Sequence, residues 1–121
     1  MTLDRSVALV AVAGDQRDVL ARYLTGAGFD VLACHELTVA GSFGAVVWLA
    51  GDGEASLVAP VRSWLRTGRP HRIVVVTGRP AMLRELAAAH PERLLVLPAP
   101  TFGWHIVDAL RAASTPGPRG A

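Results

Sequence analysis

Four stretches of this chain are short, apolar and uninterrupted: Ser6–Ala13 (SVALVAVA), Gly44–Ala50 (GAVVWLA), Arg72–Val76 (RIVVV) and Arg93–Leu97 (RLLVL). A strand with one face in water alternates apolar and polar residues. These do not, so each reads as a strand covered on both faces. Phe29–His35 (FDVLACH) reads as a further strand, second in chain order. Buried strands of this kind need helices above and below them, and the segments between the runs are where those helices must be found.

The first linking segment supplies one clearly. Val19, Leu20, Tyr23, Leu24 and Ala27 recur at helical spacing, after a turn at Gly14, and Gly26 and Gly28 close the helix. Asp15 and Asp18 resemble an N-cap and a capping-box acid. Leu37–Ser42 offers barely a turn of helix, weakened by Gly41. Ser56 is placed to cap a helix over Leu57–Thr67, with Pro60 in the first turn, where a missing N–H does no harm. Thr77-Gly78-Arg79-Pro80 is a turn leading into a helix over Ala81–His90 with Pro80 at its first position. After the rigid Pro98-Ala99-Pro100, Thr101 caps a last helix to about Ala113, burying Phe102, Ile106, Ala109, Leu110 and Ala113. Strands and helices therefore alternate, and the expected architecture is α/β: a doubly wound, flavodoxin-like sheet of five parallel strands in the order 2-1-3-4-5, with a shortened second helix. Residues 1–114 form one domain, and 115–121 (TPGPRGA) form a Pro/Gly-rich tail or linker.

Composition narrows the chemistry. Of the 121 residues, 51 % are apolar and only 18 % charged, so the chain has ample material for a core. All twelve basic residues are arginine. No Schiff base, P-loop lysine or lysine clamp on a phosphoryl group is available. That usage, with abundant Ala, Gly and Pro, fits the codons of a GC-rich bacterial genome. A single cysteine allows no internal disulfide and fits a reducing cytoplasm. No apolar run is long enough to span a membrane, and the opening MTLDRSVALVAVAGD is too short and too acidic in its flanks for a signal peptide. The net charge of +2 is too small to imply a polyanionic partner.

In open parallel sheets, ligands bind beyond the carboxyl ends of the strands. Asp15, Asp52 and Thr77 stand there, and form a displaced acidic site if the protein is a small enzyme or a nucleotide- or phosphate-binding domain. Their plainer meanings are a helix cap, a turn residue between glycines and turn chemistry before Gly78. Glu36 and Glu54 have no spacing that ties them to the group. Cys34 and His35 adjoin on a strand and point to opposite faces, so they form no dyad. His71, His90 and His105 stand singly, without metal-ligand spacing. GSFG and GDGE lack the pattern of a nucleotide loop. Arg62, Arg66 and Arg69 fall near one helix face, with Arg72 and Arg79 beyond, either as a solvated face or as an anionic-partner surface; without interleaved aromatics, nucleic acid is a poor match. Trp48 reads as core and Trp64 as either packing or contact. Trp104, with Asp108 and Arg111, lines a side of the last helix that does not face the sheet, the arrangement of a binding anchor.

Several local strings bear a family likeness: VLARYLTGAGFDV over a first helix and second strand, IVVVTGR over a fourth strand, and LVLPAP over a fifth. With the alternation and length, the chain resembles the receiver domain of two-component response regulators, the chemotaxis-regulator fold, over roughly residues 6–113. The resemblance implies a site of two carboxylates holding magnesium, a phosphoacceptor aspartate, a hydroxyl and a lysine. Those roles fall here on Ala11 and Val12, on Leu49, on Thr77 and on Ala99, followed by a retained Pro100. Only Thr77 keeps the expected type. Hard cations need oxygen ligands and phosphorylation needs a nucleophile, so the resemblance implies a degenerate pseudo-receiver without magnesium, cofactor or enzymatic activity. It further implies a protein partner or a homodimer on the face made by helix 81–90, strand 93–97 and the last helix.

Overall fold

The computed structural model describes residues 6–11, 14–34, 43–51, 57–67, 70–99 and 103–114. Five strands, β1 (Ser6–Val10), β2 (Asp30–Cys34), β3 (Ala45–Gly51), β4 (Arg72–Thr77) and β5 (Leu94–Pro98), form one sheet in the order β2-β1-β3-β4-β5. Every pairing is parallel. The expected flavodoxin-like α/β topology is thus the observed one. Among the described residues, four α-helices lie between and after the strands: α1 (Asp15–Gly26), α2 (Val58–Arg66), α3 (Arg84–Ala89) and α4 (Gly103–Ser114). The stretch Leu37–Ser42, and with it the expected shortened helix, lies outside the described residues, as does the 115–121 tail.

The unbroken apolar strands divide their side chains between two layers. Ala8, Val10, Val46, Trp48, Ala50, Ile73 and Val75 meet Leu57, Val61 and Trp64 from the α2 side, together with Leu83 and Leu94. Val7, Leu9, Val47, Val74 and Val76 meet Leu20 and Leu24 of α1 and Ile106, Val107, Ala109 and Leu110 of α4. Removing such a side chain from water is worth about 1.5–3 kcal/mol. β2, at the edge, instead alternates: Asp30 and Leu32 are exposed while Val31 is half-buried.

Local chemistry sets the element ends, and in places it differs from the expected boundaries. Helix α1 starts on Gly14 without a side-chain cap, so Asp15 is its first residue and Asp18 lies within the first turn. There the two acids complement the helix dipole and do not form a capping box. Val19 and Tyr23, expected on the buried face, are exposed; the core takes only Leu20 and Leu24. At the other end Gly28 adopts φ +104°, its N–H bonds Thr25, and the Phe29 N–H bonds Leu24. That is a Schellman closure, in which only Gly takes the left-handed position without strain. The helix expected over 81–90 begins as a 3₁₀ turn, Pro80–Leu83, and becomes α-helical only from Arg84, because Leu83 leaves helical geometry (φ −109°, ψ 10°) while fully buried.

Two arginines act as internal staples. Arg72, expected on a charged surface, is buried, and its Nε donates to the Ala109 carbonyl (3.0 Å) and its Nη1 to that of Glu92 (2.7 Å). Desolvation holds its pKa below the usual guanidinium range. Arg93 precedes β5 rather than opening it; it donates to the carbonyls of Leu65 (3.1 Å), Trp64 (3.2 Å) and Pro70 (2.7 Å). It thereby adds a charged donor to two last-turn carbonyls of α2, of which that of Trp64 also accepts from the Thr67 N–H and hydroxyl.

Arg72→Ala removes the donor to the buried Ala109 carbonyl and to the part-buried Glu92 carbonyl, and is expected to lower the unfolding free energy by about 2–4 kcal/mol in a urea titration. Arg72→Lys recovers only part of this, since one ammonium cannot reproduce the guanidinium fork. Trp64 packs edge-on against Trp48, with ring centroids 5.8 Å apart at 84°. Trp64→Ala is expected to cost about 3–5 kcal/mol with little change in urea dependence.

Candidate functional site

The carboxyl edge of the sheet is where this topology places ligands. Its backbone is closed by hydrogen bonds that continue the ladder: the Ala11 N–H bonds Cys34 (3.0 Å) and the Ala99 N–H bonds Thr77 (2.9 Å). Between them β3 carries an irregularity. Leu49 faces Val76 but Gly51 faces Thr77, so Ala50 is the extra residue of a bulge. Bulges bend a strand and end its pairing, and they recur beside functional sites. Nothing in the composition of GAVVWLAGDG marks this one, apart from glycines that also fit an ordinary turn.

Most of the residues assigned to this corner can be placed. Ala11 is buried at 8 % exposure. Leu49 is half-buried and packs into the α1–α4 layer, as hydrophobic filling rather than a side chain aimed beyond the sheet. Thr77 is fully buried at the end of β4, and its hydroxyl accepts the Arg79 N–H at 3.0 Å. Ala99 is exposed just past β5. Val12, Pro100 and Asp52 lie outside the described residues, as do Glu36 and Glu54. Asp15 is exposed at the start of α1. Ala11, Leu49 and Ala99 offer neither a carboxylate for a hard cation nor a cation for a phosphoryl oxygen. Among the described residues, no three His, Cys, Asp or Glu side chains gather as a metal site.

The remaining candidates separate. Trp48 and Trp64 are core, at 2 % and 4 % exposure, which takes Trp64 out of any contact surface. Arg62, Arg66 and Arg79 are exposed, but burial removes Arg72 from that row, and Arg69 lies outside the described residues. Cys34 is a half-buried thiol packed against the α2-side core. Trp104, Asp108 and Arg111 are all exposed on α4, and the Trp104 ring stacks on His105 (centroids 3.8 Å apart). The Arg111 Nη2 donates to the Ala27 carbonyl at the end of α1 (3.4 Å).

One feature escapes sequence reading. The 3₁₀ turn after β4 opens a shallow groove of about 570 Å³, with Met82, Ala87 and Val96 along it and Arg79 and Arg84 beside them. Met82 is 41 % exposed, and Arg79 reaches its sulfur at 3.9 Å. The string GRPAMLRE does carry two cations around an apolar centre, but only the split of the helix at Leu83 brings them to one groove.

Thr77→Val keeps the shape and deletes the acceptor for the Arg79 N–H. It is expected to cost about 1 kcal/mol of stability, read from the thermal midpoint.

No model of a known protein family matches the chain, and no curated protein matches it in sequence. Among the described residues, no helix is long and apolar enough to cross a membrane.

Proposed function

We propose that this chain is a pseudo-receiver, a phosphorylation-independent and non-enzymatic protein-interaction module of bacterial signalling or regulation, working in the cytoplasm. The observation that carries the reading is the apolar character of the described residues at this corner, Ala11, Leu49 and Ala99. Leu49 stands where the likeness to receivers asks for a nucleophile, and it is half-buried against the α1–α4 layer. Thr77, which keeps the family's hydroxyl, spends it on its own turn. A site without an acceptor carboxylate has no phosphate-gated equilibrium to shift, so the molecule presents one set of surfaces throughout.

The groove beside α3 and β5 supplies the partner chemistry. Two exposed guanidiniums next to apolar side chains fit an acidic segment that also carries apolar residues. The groove lies within the helix, strand and helix face that the family likeness assigns to partners, and pairing of two copies belongs to the same reading.

Incubated with magnesium and a small-molecule phosphodonor such as acetyl phosphate, the chain is expected to keep its intact mass, with an unchanged amide NMR spectrum. A phosphoryl adduct or a saturable magnesium shift at the β3 end would overturn the reading. Arg79→Glu with Arg84→Glu is expected to weaken binding of acidic apolar peptides at least tenfold, about 1.4 kcal/mol, while leaving the fold intact.

A further inference from the structure

Three large apolar side chains stand exposed along one side of the molecule. Val19 (63 %) and Tyr23 (46 %) are one turn apart on α1, and Trp104 (52 %) is in the first turn of α4. The two helices meet beneath them. The Tyr23 ring lies so close to Gly103 that a Cβ at that glycine would fall 2.7 Å from its Cδ2. Trp104 is the next residue, and seven residues on, about 20° away around the helix, Arg111 reaches Ala27 of α1. Trp104 therefore stands toward α1, across α4 from the β5 edge. Exposed apolar clusters of this kind mark interaction surfaces.

The charges around the cluster identify what it fits. On α1, Asp15 and Asp18 are exposed in the first turn and Arg22 in the next; on α4, Asp108 precedes Arg111, and both are exposed. Each helix carries an acid followed by a base. A partner with a single sign of charge gains nothing from such a face, whereas a second copy turned end for end matches it. With a two-fold axis beside Val19, Arg22 lies about 4.5 Å along α1 from that axis. It then falls opposite the stretch between Asp15 and Asp18 of the partner subunit. The two α1 dipoles run antiparallel in this arrangement, and the apolar side chains lie near the axis.

We infer that the α1–α4 face is a self-association surface on which two copies of this chain pair as a symmetric dimer through Val19, Tyr23 and Trp104. The inference rests on the interaction-module reading and names one partner for it. A few apolar anchors with a mixed-charge rim put the contact at the small end of specific interfaces, so the dimer exchanges with monomer.

Sedimentation equilibrium on the full chain is expected to show a concentration-dependent monomer–dimer equilibrium. Val19→Asp and Trp104→Ala should each weaken it at least tenfold, and Arg22→Asp should do likewise. The charge reversal, Asp15→Arg and Asp18→Arg with Arg22→Asp, should restore the association of the wild type. Circular dichroism and the urea midpoint of each variant establish that the fold is retained. A chain monomeric at every concentration, a dimer indifferent to Val19→Asp and Trp104→Ala, or a well-folded reversal variant that fails to recover would each overturn the inference. Failure here leaves the phosphodonor and peptide experiments untouched, whereas a phosphoryl adduct removes the interaction-module reading without changing the sedimentation result.

Discussion

Burial of the central strands on both faces governs the rest of the molecule. Val7 to Val10, Val46 to Trp48 and Ile73 to Val76 are almost wholly withdrawn from water, and their side chains alternate between two helical layers. Main-chain polar groups so enclosed find partners only in adjacent strands, which makes the parallel ladder obligatory. A one-residue slip in any of these strands would exchange the two layers' side chains wholesale, so the packing of α1, α2 and α4 holds the register.

The same demand for filling shapes the carboxyl edge. A parallel sheet leaves its strand ends and the loops after them open for chemistry, but here the ends carry small or apolar residues joined by main-chain hydrogen bonds. The bulge at Ala50 lets β3 leave the ladder while Ala50 itself stays at 6 % exposure. On the proposed reading, the surfaces that meet partners lie further out, at the groove lined by Arg79 and Arg84 and at the exposed apolar stripe of α1 and α4. Both surfaces arise where helices contribute side chains that the sheet has no room to bury.

What was legible in the chain follows the same physics. Two-faced burial writes itself as unbroken apolar runs, so four of the strands were readable without coordinates, and the strand order followed from the alternation of strands with helices. Helix ends depend on single hydrogen bonds, and there the reading slipped. Asp15 looks like a cap but is the first helical residue, and Pro80 opens a 3₁₀ turn instead of an α-helix. Helical spacing put Val19 and Tyr23 on a buried face, although α1 buries a narrow strip and spacing alone does not set its width. Arg72 was misread for a related reason: a guanidinium looks superficial in sequence, and only the nearby Ala109 and Glu92 carbonyls make burial tolerable. At the candidate site, the lack of ionisable side chains at Ala11, Leu49 and Ala99 was plain from residue identity, while the groove, built by a break at Leu83, was not.

The internal arginines have a consequence for how the domain meets acid. Arg72 and Arg93 hold β4, α2 and α4 together through main-chain oxygens and not through carboxylates. Acidification dissolves an ion pair by protonating its anionic half. An amide oxygen has no proton to take up in that range, so these ties stay fastened at a pH where a salt-bridged core would begin to come apart.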